Sequence, residues 1–269
     1  SLNVYRNYKK NLVTQSRALD RISTGTKINS AKDNPNKLGQ SEGLRLQIRS
    51  LQMAERNIQD GVSMMQTTDG TLSVIGESLL RLKELNIKAA GVTSESDLTV
   101  IQVEIDNIKE HIDSTVNNSS FNGVKLLNSN KVTNNDNPEY LNHQVGSNIK
   151  EEINIPVFNI GTDMLVDAQG NSLKNIDVTN INKLNENLSV IDAALSTVNS
   201  IRSRYGAIQN RMETSSENLN GASFNLETAE SRIRDSDVAL EMAEYARTSV
   251  LHETSIALLI TLKGLSRKT

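Results

Sequence analysis

Residues 184–233 read LNENLSVIDAALSTVNSIRSRYGAIQNRMETSSENLNGASFNLETAESRI, and their apolar residues are regularly spaced. Apolar or small residues recur at alternating steps of four and three, apart from one extra step of three between Val198 and Ile201. This is the spacing of a helix that packs along another helix. The stretch therefore predicts one helix of roughly 80 Å, because an α-helix rises about 1.5 Å per residue. The repeating positions are Leu184, Leu188, Ile191, Leu195, Val198, Ile201, Tyr205, Ile208, Met212, Ser215, Leu219, Ala222, Leu226, Ala229 and Ile233.

The start of the chain carries the same spacing. A first stripe of residues predicts a helix that ends at Gly25, since glycine is common just after a helix C-terminus. Residues 29–39 are rich in turn-forming residue types and predict a loop. The first stripe consists of Tyr5, Tyr8, Leu12, Gln15, Leu19 and Ile22.

Two further helices are predicted before the middle of the chain. A second apolar stripe occupies residues 44–89, and residues 91–97 interrupt it. A third stripe starts at about Leu98, and Ser96 or Asp97 is the expected N-cap of its helix.

The segment of residues 117–178 has a different composition. It is rich in Asn and holds two of the three Pro residues. Ile153, Ile155 and Val157 alternate with Asn or Pro, which predicts an edge strand or a hairpin. Residues 167–171 read as a turn. We expect a small, exposed insert that contains β-structure.

The composition favours extended helix packing and gives no support to an enzyme. Aromatic residues make up 3% of the chain and Trp is absent, so aliphatic stripes must supply the buried area. The net charge of -3 gives no single-sign field that favours nucleic acid. Cys is absent, which excludes thiolate chemistry and Cys-based metal sites. The spacing of His111, His143 and His252 matches no metal motif, so we expect no cofactor, metal or catalytic site.

We also expect no cleavable signal peptide and no membrane span. Residues 1–10 are polar and charged, unlike a cleavable signal peptide. The most apolar stretch, residues 255–262, is shorter than the roughly 20 residues that a membrane span needs.

Several blocks of sequence, in the same order along the chain, resemble the bacterial flagellins. Residues 21–33, RISTGTKINSAKD, are similar to the family's N-terminal signature. Residues 205–211, YGAIQNR, and residues 231–237, SRIRDSD, are similar to its C-terminal helix. The resemblance covers residues 1–128 and 176–251. Further matching blocks are residues 47–51, 56–61, 66–70, 101–105 and 121–127.

Three places depart from the family pattern. The chain starts inside the family's first helix, and residues 260–269 differ from the usual C-terminal end. Residues 34–37, NPNK, stand where the family often has small residues and Gly. In flagellins the two chain ends pair to line the inner tube of the filament, so the departures at the ends fall on that feature.

The stripes and the resemblance together predict a mainly α fold. We expect a long helical rod of antiparallel, coiled-coil-like helices from both chain ends, with a small β-containing central insert. The expected segments are residues 1–35 (filament-core helix and loop), 36–128 (N-terminal half of the rod), 129–178 (outer insert), 179–235 (C-terminal rod helix) and 236–269 (C-terminal core helix with an atypical end).

The resemblance implies a structural subunit that self-assembles into the bacterial flagellar filament for swimming motility and catalyses no reaction. Isolated helical ends are marginal in water, so they would become ordered when neighbouring copies bury them. A heterologous contact that does not close into a ring produces a helical filament. The residues expected to carry assembly are Tyr5, Tyr8, Leu12, Leu19, Ile22, Leu240, Val250 and Leu251.

The resemblance also implies a location and partners. The protein would be secreted to the extracellular flagellum without a cleavable signal peptide. Its partners would be further copies of itself, an export chaperone, and the cap and hook-junction proteins, with no nucleic acid and no membrane. In flagellins a host Toll-like receptor grips the positions that match Arg81, Leu85 and Glu104. Without the resemblance, Arg81 and Glu104 would be ordinary solvated charges and Leu85 a core residue.

Three alternatives remain open at this point. A hook–filament junction protein shares flagellin-like ends, although a larger middle region would be expected. A soluble coiled-coil adaptor would assemble to a fixed size and stop. An enzyme would need a site in the insert, where no catalytic constellation is recognisable.

Overall fold

The computed structural model describes residues 2–129 and 131–265. Ser1, Asn130 and residues 266–269, the end of the predicted segment 236–269, lie outside the described residues. The mainly α prediction is confirmed, with one small antiparallel sheet in the middle of the chain. The elements are α1 (Leu2–Thr24), α2 (Pro35–Ala90), α3 (Glu95–Asn118), β1 (Glu139–Gln144), β2 (Glu152–Val157), α4 (Leu184–Arg234) and α5 (Val238–Leu265).

The first two helix boundaries follow from local chemistry. Helix α1 ends before Gly25, whose φ of +68° is a left-handed conformation that glycine adopts at little cost. Helix α2 begins at Pro35, so the loop predicted for residues 29–39 ends at Asn34 instead. Proline suits the first helical position because its missing N–H would have no partner there. Asn34 caps the helix by accepting the Lys37 N–H through Oδ1 at 3.1 Å.

The start of α3 also differs from the prediction. The N-cap is Ser94, not Ser96 or Asp97. The backbone carbonyl of Ser94 accepts the first helical bond, from the Leu98 N–H at 3.2 Å. Asp97 therefore lies inside the first turn, where a carboxylate interacts favourably with the helix dipole.

The chain forms two compact units. We name residues 1–51 and 221–269 the terminal unit, and residues 52–220 the central unit. The division falls within α2 and α4, whereas the five predicted segments divide the chain mostly at loops. The five-segment organisation stays a prediction.

In the central unit, α2 and α4 run antiparallel and share one core with α3. Lys83 Nζ lies 2.7 Å from Asp192 Oδ1, and Arg202 Nε lies 2.8 Å from Asp69 Oδ1, so rising numbers in α2 meet falling numbers in α4. The fully buried side chains of this core include Leu72, Ile75, Leu79, Leu82, Leu85, Ile105, Ile112 and Met212.

The predicted strand is one half of a β-hairpin. Strands β1 and β2 pair antiparallel, with Glu139 opposite Val157 and Gln144 opposite Glu152. The expectation of an exposed insert was wrong in one respect, because the apolar residues of the insert belong to the same core as α2, α3 and α4. These residues include Ile153, Ile155, Phe158, Ile160, Leu165, Leu173, Ile176 and Val178.

Two polar contacts fix the hairpin on α2. His143 Nε2 lies 2.6 Å from the carbonyl oxygen of Asn57 and must donate, since a carbonyl can only accept. The Asn57 side chain donates in return to the Gln144 carbonyl at 3.3 Å. Gly61, one turn along α2, permits this approach, because a Cβ at Gly61 would lie 2.9 Å from His143 Nε2.

Asp33 closes the loop between α1 and α2. Its Oδ2 accepts hydrogen bonds from the backbone N–H of Ser30 at 3.0 Å, the backbone N–H of Asn29 at 3.2 Å and the Ser30 hydroxyl at 3.1 Å. The backbone hydrogen bond from Ser30, followed by that from Asn29, lowers the pKa of Asp33 below its ordinary value. Since the folded pKa is the lower one, the carboxylate stabilises the loop fully above the unfolded pKa, and this contribution is lost as the pH falls through the folded pKa.

We expect this loop to open in acid. Exchange of the Ser30 amide, corrected for intrinsic rates, should accelerate relative to neutral pH once the pH falls below about 4, the ordinary Asp value. Asp33→Asn keeps the shape but removes the charge, so its protection should be lower and nearly independent of pH. Hydrogen exchange on both proteins tests this, and equal protection of the wild-type loop at pH 3 and pH 6 would contradict it.

Candidate assembly and recognition surfaces

Helices α1 and α5 pack against each other in the terminal unit. The Tyr8 and His252 rings stack with centroids 5.0 Å apart, and Arg21 Nη1 lies 2.8 Å from Glu241 Oε1. The two contacts join the start of one helix to the later part of the other, so the pair is antiparallel. Ala18 and Thr248 are buried, and Thr248 satisfies its hydroxyl on the carbonyl of Glu244 in its own helix.

The buried side of α1 differs from the predicted stripe. Tyr8 and Ile22 are half-buried, and Ala18 is more buried than any other side chain described in this helix. Tyr5, Leu12 and Leu19 recur every seven residues and remain 44–52% exposed. Helix α5 therefore covers only part of the predicted stripe. Tyr8 and Ile22 are partly buried, and Tyr5, Leu12 and Leu19 remain in water.

Helix α5 leaves more apolar surface uncovered than α1. Leu240 is 68% exposed, Val250 is 60% exposed and Leu251 is 37% exposed. Ile260 is also exposed. At 100° per residue these positions surround the part of the helix that does not face α1. Glu244 and Arg247, which form an ion pair, are the charged residues nearest to Leu240 and Leu251 on this side of the helix.

An ion-pair cluster in the terminal unit was not among the predicted sites. One ion pair joins α1 to α5 and the others join α2 to α4, and the side-chain hydrogen bond from Arg234 lowers the pKa of Glu42. Arg21 and Arg234 lie in the blocks that carry the resemblance, but their acidic partners lie outside those blocks, so the sequence offered no local signal for the pairing. The pairs are Arg21–Glu241 at 2.8 Å, Arg45–Glu230 at 2.9 Å and Arg234–Glu42 at 2.8 Å.

The predicted recognition residues separate into a surface pair and a core residue. Arg81 on α2 donates to Glu104 on α3 through Nη2 at 2.7 Å and Nε at 3.1 Å, and to Glu84 through Nη1 at 3.0 Å. The hydrogen bond with Glu104, followed by that with Glu84, raises the pKa of Arg81 above its ordinary value. The Arg81 side chain is 51% exposed and that of Glu104 is 44% exposed.

Leu85 does not share this surface. It is 1% exposed and packs in the core of the central unit. A step of four residues turns a helix position by only about 40°, so Leu85 lies at the buried edge of the face that exposes Arg81. Its role in recognition stays a prediction.

The described residues hold no group of three or more His, Asp or Glu side chains arranged to bind a metal ion. Over residues 2–129 and 131–265, no helix combines the length and apolarity needed to cross a membrane.

Comparisons with known proteins identify the family of this chain. The family model for the bacterial flagellin N-terminal helical region matches residues 1–132, and that for the C-terminal helical region matches residues 188–267. The chain is 34% identical to a flagellin from Bacillus subtilis and 36% identical to one from Halalkalibacterium halodurans. Each match covers 96% of this chain and 92% of the relative.

The fold is also shared with a different flagellar protein. A solved structure of a flagellar hook-associated protein from Vibrio parahaemolyticus superposes with a TM-score of 0.64, over 76% of this chain and all of the other. The identity is 14%, so this likeness concerns the fold alone. The identity of 34–36% to flagellins over nearly the full length favours a flagellin over a hook-associated protein. The chain belongs to the bacterial flagellin family and is a structural subunit of the flagellar filament.

Proposed function

We propose that polymerisation proceeds by burial of the exposed apolar surfaces of α1 and α5 between copies of the chain. The observation that supports this most is the apolar surface of α5, which α1 covers on one side only. Burying one large aliphatic side chain contributes about 1.5–3 kcal/mol, so several such residues suffice to drive association. The surface includes Tyr5, Leu12, Leu19, Leu240, Val250 and Leu251, with Tyr8 and Ile22 partly covered by intramolecular packing.

Val250→Asp tests this proposal. The side chain is exposed in the subunit, so the variant should fold normally, whereas assembly would bury a charge. We expect growth on filament fragments, followed by electron microscopy and light scattering, to slow by more than about tenfold, which corresponds to about 1.4 kcal/mol.

Ile149→Asp is the matched control, because Ile149 is 93% exposed and lies outside α1 and α5. It should elongate at the wild-type rate. Wild-type elongation by Val250→Asp would refute the role of this surface.

We also propose that the surface around Arg81 and Glu104 is recognised by the flagellin-sensing Toll-like receptor. The exposed guanidinium is held in place by two carboxylates, so little conformational entropy would be lost when a partner binds it. Arginine is among the residue types that dominate interfaces. Leu85 would act from beneath, by supporting the position of α2.

For this second proposal we expect Arg81→Ala to weaken receptor activation about tenfold or more in a reporter-cell assay. Arg211→Ala is the control, since Arg211 is exposed on α4 and has no ion pair among the described residues. Equal activation by the wild type and Arg81→Ala would exclude Arg81 from the receptor contact.

Other features rest on family membership. We propose secretion without a cleavable signal peptide, together with an export chaperone and a cap protein as partners. The intact mass of the extracellular protein, compared with that of the translated gene, tests the first of these.

A further inference from the structure

The two compact units carry opposite net charges. The terminal unit contains 16 basic and 10 acidic residues and has a formal charge of +6. The central unit contains 13 basic and 22 acidic residues and has a formal charge of -9. The overall charge of -3 conceals this division. Copies that met through like units would repel each other, whereas unlike units would attract.

The acidic charge of the central unit is concentrated on α3. This helix has six acidic residues and one lysine. Two of the acids are in ion pairs, Glu104 with Arg81 and Asp106 with Lys109. Glu110 is exposed and has no ion pair among the described residues.

Glu110 lies on an uncovered face of α3 that also exposes apolar side chains. We define the acidic face of α3 as Val100, Val103, Asn107 and Glu110, which repeat at steps of three, four and three. Glu110 is its one charged residue, and the other acidic residues of α3 add to the negative potential around it. Val100 is 69% exposed and Val103 is 56% exposed. This spacing places all four side chains on one side of the helix, as required for contact with another protein surface.

The terminal unit has a basic counterpart in residues 25–37, the connection between α1 and α2 together with the first three residues of α2, which we name the basic loop. It contains Lys27, Lys32 and Lys37 and a single acid, Asp33. Lys32 and Lys37 are exposed. The Asp33 carboxylate accepts hydrogen bonds from N–H and hydroxyl groups of the same segment and forms no ion pair with either exposed lysine among the described residues.

We propose that the contact that extends the filament places the basic loop of one copy on the acidic face of α3 of a second copy. This inference rests on the proposed polymerisation and specifies a pair of surfaces for it. Two different patches on each copy make the contact heterologous, and a heterologous contact extends into a filament when successive rotations do not close a ring. The valines supply buried area, and the opposite charges set which surfaces meet.

Charge exchange between the two surfaces tests the proposal. The first variant, Asn107→Lys with Glu110→Lys, makes the α3 face basic. The second, Lys32→Glu with Lys37→Glu, makes the loop acidic. Each alone should raise the critical concentration for seeded growth about tenfold at low salt, and the difference should shrink at high salt because ions screen the contact.

An equimolar mixture of the two variants should assemble near the wild-type critical concentration, because each altered surface then meets its opposite. Asn220→Lys with Glu217→Lys is the matched control, with the same residue types and spacing on exposed positions of α4. It should behave as the wild type. Circular dichroism and thermal unfolding of the subunits establish that all variants fold.

The outcomes separate this inference from the proposed polymerisation. Failure of the wild type to elongate would overturn both. Normal elongation of the wild type with no effect of either charge variant would overturn the pairing alone. The pairing is also overturned if the α4 control is impaired as strongly as the α3 variant, or if the mixture fails to recover.

Discussion

Tyr205→Ala should lower the free energy of unfolding of the central unit by about 3–5 kcal/mol, the usual range for removing a buried aromatic side chain. Tyr205 on α4 is 1% exposed. Its ring meets that of Phe158 edge to face, with the centroids 5.7 Å apart, and its hydroxyl donates to the Pro156 carbonyl at 2.9 Å. The side chain therefore joins the long helix to β2 and to the residue that follows it.

The loss is expected to be large because the surroundings cannot collapse. Burial raises the pKa of Tyr205 well above its ordinary value, which reflects how little water reaches the hydroxyl. Truncation would leave a cavity against Phe158 and an unsatisfied carbonyl at Pro156. Denaturant unfolding followed by circular dichroism gives the free energy difference.

Tyr205→Phe is the control that separates the two contributions. It keeps the ring and removes only the hydroxyl, so its cost should be about 1–2 kcal/mol. A cost of Tyr205→Ala no greater than that of Tyr205→Phe would show that the ring adds little, contrary to the packing argument.

Gly61→Ala should also destabilise the central unit, by about 1–3 kcal/mol, although alanine is normally the better helix former. A Cβ at Gly61 would lie 2.9 Å from Met212 Sδ and 2.9 Å from His143 Nε2. Met212 is fully buried and His143 is held by the carbonyl of Asn57, so neither can move away at little cost.

Gly70→Ala on the same helix is the matched control. Nothing lies within 4 Å of its would-be Cβ, so the change should stabilise the protein by about 0.5–1 kcal/mol through helix propensity. Thermal unfolding of both variants should thus show shifts of opposite sign. Two shifts of the same sign would mean that the approach of His143 to α2 is looser than the structure indicates.

The sequence predicted the helices well because their stripes are long. The repeat over residues 184–233 corresponds to α4, Leu184–Arg234, and Gly25 ends α1 as expected. Shorter signals were less decisive. The start of α3 was placed two or three residues late, because Ser94, Ser96 and Asp97 are all good N-caps and only the backbone bond to Leu98 selects one.

The site predictions depended on information that a linear pattern lacks. Arg81 and Leu85 differ by one helical turn, and the sequence could not tell which of them faces the core. Similarly, the docking of His143 on Asn57 connects residues 86 positions apart, with no local signal at either end. The sequence predicted an exposed insert because Asn and other polar residues dominate its composition. Its apolar residues do not repeat at helical spacing, so the sequence did not show that they are buried.

Periodic spacing and ordered motifs are properties of the chain alone, so they predicted a mainly helical protein, the positions of its helices and its family. The buried flank of each helix, in contrast, depends on which helix packs against it. On α1, contact with α5 buries Ala18 and leaves Leu12 and Leu19 in water, although all three fit a helical repeat. A repeat defines a set of candidate faces, and the shape of the neighbouring helix selects among them.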